Sequence, residues 1–307
     1  MKTLSYILIL SILLSCSCRK VIEMDIPDKD KKIVLNCILQ PDTTVSIHLS
    51  KSIGILDNDS EIESLNNAVI RLYENNSLLE TLIFQGYGFY NSTFPVETGK
   101  TYRIEASYPG LHDVSAEAAV PVPIPVLSWD TLSYTYHNYD NIYDEEHEAL
   151  QCRIRFSDPI QEDNYYMIGV TCKNDDGYGD YSNSIWFESE DPALDIENSK
   201  IFITDYKEVV IFDDEIFDGL GYTFNLYLFK DYLSPGENKL TFTLYTLPVD
   251  LYRYFRSYSF YQGAYQDPFA EKVQIFSNIE NGFGIFGGYG VSEFTITVEG
   301  VEGGWTP

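Results

Sequence analysis

The stretch "KIVLNCILQPDTTVSIHLSKS" (residues 32–52) alternates apolar and polar residues on either side of a proline-aspartate turn. A period of two sends alternate side chains to opposite faces of an extended chain, so it predicts two half-buried β-strands, 32–40 and 44–52. The pattern continues outward in "AVIRLYEN" (68–75), "LLETLIFQ" (78–85), "TYRIEASY" (101–108) and "DVSAEAAV" (113–120), with turn signals at "ENNS" and "PVETGK". Strands at this spacing predict a β-sandwich over residues 31–120, immunoglobulin-like or transthyretin-like. "PVPIP" (121–125) then fixes φ and removes backbone donors, which predicts a stiff linker and a domain boundary.

Residues 126–300 repeat the β character with longer insertions, and 301–307 form a tail. The predicted strands are "LSWDTLSYTY", "LQCRIRFS", "YYMIGVTCK", "SIWFES", "KIFIT", "YTFNLYLFK", "NKLTFTLYTL", "EKVQIFS" and "SEFTITVE". "PVDLYRYFRSYSFYQGAY" departs from period two: Leu251, Tyr254, Phe255, Tyr258 and Tyr261 recur at helical steps between Pro248 and Gly263. It predicts one amphipathic helix across a sheet, its aromatic stripe packing as core or forming a ligand platform. The fold class is mainly β, with two β-sandwich domains, the C-terminal one larger and carrying that helix.

The chain begins differently. Lys2 followed by an apolar run to Leu14 has the form of a secretory signal over residues 1–15, too short for the roughly 20 residues that span a bilayer. Leu13, Leu14 and Ser15 directly before Cys16 resemble a bacterial lipobox, with Cys18 the alternative acceptor. The expected product carries acyl chains on Cys16 and a polar tether over residues 16–30, anchoring the protein to a membrane through lipid. The 47 acids against 20 lysines and arginines give a net charge of −27, which repels nucleic acid and suits a solvated surface outside the cytoplasm. Hydrophobic residues at 44% and aromatic ones at 15% place the chain among globular proteins.

Cys152 and Cys172 would lie nearly opposite each other if "LQCRIRF" and "YYMIGVTC" formed a hairpin about "SDPIQEDN"; a disulfide and a pair of buried thiols both fit that picture. "SNIENGFGIFGGYG" (277–290) interleaves glycines with Phe283, Ile285, Phe286 and Tyr289. It fits a bulged strand or packed loop, and equally an exposed recognition loop presenting Asn278, Glu280, Asn281, Phe283, Phe286 and Tyr289. Four scattered histidines, no HExxH and no GxSxG leave no catalytic motif, and no motif calls for a cofactor. Acidic runs "DNDSEIE", "DEEHE", "NDDGYGD" and "FDDEIFD" are solvated loops or, as the alternative, calcium loops, with Asp175, Asp176 and Asp180 the ligands in the third.

"MDIPDKDKKIVLNCILQPDTTVSIHLSKSIGI", "TGKTYRIEASYPGLHDVSAEAAVP", "IRFSDPIQEDNYYMIGV", "FDDEIFDGLGYTF" and "DPFAEKVQIFSNIENGFGIFGGYG", in that order, resemble the Bacteroidota lipoprotein family named domain of unknown function 4249. The resemblance runs from Glu23 to Val298 and implies an outer-membrane lipoprotein of a kind commonly encoded beside a TonB-dependent transporter; the cell-surface face is expected over the periplasmic one, although Arg19 and Lys20 stand where acidic residues usually follow the family's cysteine. It brings no catalytic residues. The expected function is therefore that of a non-enzymatic partner of such a transporter in uptake of a peptide, glycan or metal chelate. The alternative is a structural or adhesive, fimbrial-type surface lipoprotein.

Overall fold

The computed structural model describes residues 30–54, 61–138, 145–160, 162–174, 182–195, 200–203, 207–266 and 271–300. Alternation in the first segment does what its period dictates. In β1 (Ile33–Leu39) the side chains of Ile33, Leu35, Cys37 and Leu39 turn inward, as do Val45, Ile47 and Leu49 in β2 (Thr44–Lys51). They pack against Ile70 and Leu72 of β3 (Val69–Glu74), Tyr102 and Ile104 of β7 (Lys100–Ser107), and the alanines of β8 (Val114–Val120). The predicted strand at 78–85 is two strands, β4 (Ser77–Thr81) and β5 (Ile83–Gly86), in different sheets. Buried Leu82 is the pivot between them, its amide held by the Ile70 carbonyl at 2.9 Å. An unpredicted strand, β6 (Phe89–Pro95), follows: Tyr90 and Ser92 point inward, and the Ser92 hydroxyl accepts from the Val45 amide at 2.8 Å.

The second sandwich faces two sheets across a core rich in aromatic rings. One contains β9 (Val126–Asn138), β10 (Glu145–Ser157), β16 (Gly221–Phe229) and the short β13 (Phe187–Glu188), in the order β13-β16-β10-β9. The other is built on β11 (Tyr165–Asn174), which pairs with β12 (Ser182–Ser184), β15 (Lys207–Asp213) and β17 (Gly236–Leu247). Its edges are β14 (Lys200–Ile203) and β19 (Gly290–Gly300). β10 and β11 are consecutive but lie in opposite sheets, so the hairpin that would have set Cys152 opposite Cys172 does not form. Both sulfurs are buried thiols rather than a disulfide. β15, not among the predicted strands, is apolar on both faces: Val210 and Phe212 line the sandwich interior, while Val209 and Ile211 face a third core outside it.

That third core is capped by the predicted helix, α1 (Val249–Gln266), which buries Leu251, Tyr252 and Phe255 against Met167, Val209 and Ile211. "EKVQIFS" is not a strand; the Phe276 amide instead donates to the Ser257 hydroxyl of α1 at 2.8 Å. The next strand, β18 (Phe283–Gly288), leaves the second sandwich and pairs in parallel with β1, Val34 to Phe283 through Leu39 to Gly288. The first sandwich is thus β18-β1-β2-β6-β5 over β4-β3-β7-β8, and its sequence is not contiguous. Alternation along β18 joins two cores: Phe286 enters the first sandwich, and Ile285 enters the core under α1. Gly284, at φ +107°, has no room for a side chain, since a Cβ would stand 2.0 Å from the Leu35 carbonyl oxygen.

Candidate functional site

The connection from β15 to β16, "DDEIFDGLG", concentrates carboxylates at one end of the second sandwich. Two tight turns shape it, with the Phe217 amide on the Asp214 carbonyl at 2.8 Å and the Leu220 amide on the Phe217 carbonyl at 2.9 Å. Gly219 closes it at φ +68°. The β10–β11 connection crosses between sheets here and is pinned to the same turn. Asp158 accepts the Gly219 amide at 2.7 Å and the Tyr166 hydroxyl, while Asp214 accepts the Asn164 amide at 2.9 Å. Carboxylate oxygens of Asp158, Asp214 and Asp218 come within 4.8 Å of one another. Burial raises the Asp158 pKa, the bonds from Tyr166 and Gly219 partly offset it, and the charges of Asp214 and Asp218 add to the rise. Calcium takes roughly six to eight oxygens. Both Asp158 oxygens already serve protein donors, so the trio fits a lock between two connections better than a calcium cage.

The other side of the turn opens on a pocket of about 240 Å³. Its lining is mostly polar, from Asp195, Asp213, Glu215, Tyr252 and Arg256, with Leu194 and the exposed Ile216 adding apolar surface and the end of β15 at Ile211 and Phe212 closing its base. Polar atoms form a chain along the rim. Arg256 donates through Nη2 to Asp195 at 3.3 Å and through Nη1 to the Tyr252 hydroxyl at 2.9 Å, and that hydroxyl donates to Asp213 at 3.1 Å. The Tyr252 ring stacks on Tyr165 with centroids 4.4 Å apart, and burial pushes its phenol pKa up to about 12, so it is a neutral donor. Three carboxylates against one guanidinium leave the rim net negative, and the guanidinium keeps donors beyond the two it uses here. A small molecule with an ammonium group, a short apolar body and an acceptor for Arg256 satisfies every side of such a pocket. Its volume is below the roughly 300–1,000 Å³ of drug-sized sites, which limits the occupant to about the size of an amino acid or the end of a peptide.

Most residues singled out from sequence lie elsewhere. Phe286 is buried in the first sandwich, and Asn278 clamps its backbone, donating to the Phe286 carbonyl at 2.8 Å and accepting its amide at 3.0 Å. Glu280 accepts from the Ser115 hydroxyl at 2.7 Å, Asn281 makes the turn at φ +59°, and Tyr289 packs edge-on against Tyr245. The glycine-aromatic segment is therefore a core strand and its turn rather than a recognition loop; Phe283 alone of its apolar members is exposed. Cys16, Cys18, Asp175, Asp176 and Asp180 lie outside the described residues. Of the helical stripe, Leu251 and Phe255 are core, and Tyr254 and Tyr258 stack with parallel rings. Tyr252 and Arg256, which do line the pocket, sit one residue off that stripe; their spacing of one helical turn is the sequence signal that could have found them.

A second exposed feature is β9, an edge strand that leaves Leu127, Trp129, Leu132 and Tyr134 open to solvent. Trp129 stacks on Phe294 of β19 at 5.5 Å, where the edges of the two sheets meet. Unpaired edges carrying apolar side chains are sites for adding a partner strand or face.

A family model described as domain of unknown function (DUF4249) matches residues 19–295. No curated protein matches the chain. Among solved structures, one titled "Biofilm associated protein - BSP domain" aligns with 93% of this chain at 8% identity and a TM-score of 0.21. The chain spans 62% of that structure's length.

Proposed function

The chain belongs to the DUF4249 family, and on that premise we propose that it is a non-enzymatic, lipid-anchored outer-membrane protein that partners a TonB-dependent transporter and captures its cargo. The observation that carries this reading is the pocket beside α1, whose acidic rim, single guanidinium and small apolar wall at Leu194 and Ile216 suit retention of a small ligand rather than its chemical conversion. Among peptide, glycan and metal chelate, the charge pattern favours a peptide or amino acid, because an ammonium group answers Asp213 and Glu215 while a carboxylate answers Arg256. Exposed apolar side chains on β9, Trp129 on one face and Leu132 and Tyr134 on the other, offer surface on which a barrel partner would seat. The place of β9 at the edge of its sheet favours the second reading, a structural or adhesive surface protein assembled edge to edge.

Two measurements test the proposal. Tagged native protein drawn from detergent-solubilised outer membranes is expected to bring a TonB-dependent barrel with it; recovery of self-polymers without a barrel would support the second reading instead. Calorimetry is expected to show leucine and leucinamide binding with a Kd in the range of about 1 mM or tighter, N-acetyl-leucine binding much more weakly, and an Asp213→Asn, Glu215→Gln pair weakening leucinamide about tenfold, or 1.4 kcal/mol. Equal binding of all three compounds would remove the ammonium assignment.

A further inference from the structure

We infer that the end of the first sandwich from which residues 1–29 depart is a membrane-contacting face, whose exposed aromatic and aliphatic side chains settle into the lipid headgroup region beside the anchor. The inference rests on the lipid-anchor reading above and adds an orientation to it.

The topology places the relevant residues at one end. β1 begins at Ile33, opposite Lys51 at the close of β2, so the chain before Asp30 joins the body there. The tip of the β5–β6 hairpin lies at the same end. The Leu49 amide donates to the Gly88 carbonyl at 2.8 Å, the Gly88 amide donates to Asn66 Oδ1 at 2.9 Å, and a Cβ on Gly88 would meet the Leu49 carbonyl oxygen at 2.4 Å. β18 runs parallel to β1, so Phe283 also starts at this end, facing Val34 across the pair.

The side chains there are apolar and face outward. Tyr87 is 85% exposed at the hairpin tip, and Phe84 and Phe89 flank it at 45% each. Ile53, Ile62 and Phe283 are exposed on neighbouring segments. Tyr87 takes φ +50°, a left-handed conformation that asparagine or glycine adopts freely and a bulky ring does not. A ring held there in a strained turn, with almost no contact to the body, is presented outward rather than packed.

Charge is consistent with a bilayer. The whole chain carries −27, and at this end Lys31, Lys32 and Lys51 stand against Asp30, Glu61, Glu63 and Glu280, with Asp57 and Asp59 in the sequence between Gly54 and Glu61, so the face suits zwitterionic rather than anionic headgroups. The Lys32 ammonium lies 5.1 Å from the Phe283 ring centroid, and Lys51 pairs with Glu63 at 2.9 Å. Aromatic rings with a polar edge favour the boundary between headgroups and acyl chains, and Tyr87 offers that edge. A lipid anchor by itself fixes attachment and not orientation; an apolar rim around the start of β1 fixes both. The edge strand β9, in the second sandwich, is then left available to a protein partner.

The test uses full-length lipidated protein in vesicles of phosphatidylcholine and phosphatidylethanolamine, with and without brominated acyl chains, and no transporter present. Tryptophan introduced as Tyr87→Trp is expected to be quenched by brominated lipid, beyond the wild-type tryptophan background, and Tyr232→Trp on the second sandwich is expected not to be. Tyr87→Asn is expected to raise the melting temperature of the soluble Cys16→Ser, Cys18→Ser form, because it removes strain without loss of packing. Protein that floats with vesicles but shows no quenching at position 87 overturns the orientation and leaves the anchor standing. Protein that does not float at all removes the anchor and the inference together. Equal quenching at 87 and 232 assigns no particular face to the bilayer and also overturns it.

Discussion

Cys37, Cys152 and Cys172 point into cores, and burial sets their chemistry. It pushes the thiol pKa up to about 12 for Cys37 and Cys152 and to about 11 for Cys172. Thiolate is the reactive form, so at neutral pH these groups are nearly inert in the folded protein. A Cys16→Ser, Cys18→Ser variant is expected to take up no thiol reagent when native and to gain three adducts in guanidinium without reductant. A single adduct would mean that Cys152 and Cys172 are bridged after all. Their burial was legible, because each stands at an apolar phase of a period-two run. Their separation was not, because the hairpin argument assumed that consecutive strands pair, which holds only about two-thirds of the time. Asp158 and Tyr166 show what the assumption hid: the loop between the cysteines crosses from one sheet to the other and is locked by a carboxylate on the way.

At the scale of elements, strands that alternate or are rich in β-branched and aromatic residues were legible, and strands whose composition mimics a turn or a loop were not. β1, β2, β3, β7 and β8 alternate cleanly, and the helix announced itself through Pro248 and its aromatic spacing. β6 was obscured by Asn91, Ser92, Thr93 and Pro95, residues that ordinarily mark turns, although Ser92 is a buried bonding partner. β18 was obscured by its glycines, which are needed because β1 approaches on one side and the Leu251 side chain, 3.0 Å from a Cβ at Gly287, on another. Phe286→Ala is expected to cost about 3–5 kcal/mol in urea unfolding, the usual range for emptying a fully buried aromatic site. Gly284→Ala, with both a positive φ and a backbone clash, is expected to cost at least about 2 kcal/mol. Phe283→Ala on the exposed end of the same strand is expected to change stability by less than about 1 kcal/mol. If the three lost stability equally, the strand would not be packed as the pairing with β1 requires.

At the scale of the whole molecule, β18 and α1 decide how the two sandwiches relate. The strand closes the open edge of β1, the helix covers Ile285 on its other face, and the connector is held to the second sandwich by the Ile124 amide on the Thr246 hydroxyl at 3.1 Å. Gly290 passes so close to the connector that a Cβ would stand 2.6 Å from the Pro121 carbonyl oxygen. The linker that the prolines suggest is consequently docked, and the first sandwich depends on a segment made near the end of the chain. A fragment of residues 30–125 lacks β18, leaves the β1 edge unpaired, and removes Phe286 from a core that also holds Leu35, Cys37 and Leu39. Such a fragment is expected to give poorly dispersed amide resonances and to aggregate, and a peptide spanning residues 276–291 added in excess is expected to restore dispersion. The intact chain is expected to unfold with first and second sandwich signals in step, since losing β18 strips both the edge of one sheet and the floor beneath α1. A well-dispersed spectrum from the fragment alone, unchanged by the peptide, would show instead that β18 is an accessory to a self-sufficient sandwich, and that the two bodies are free to move about the proline segment.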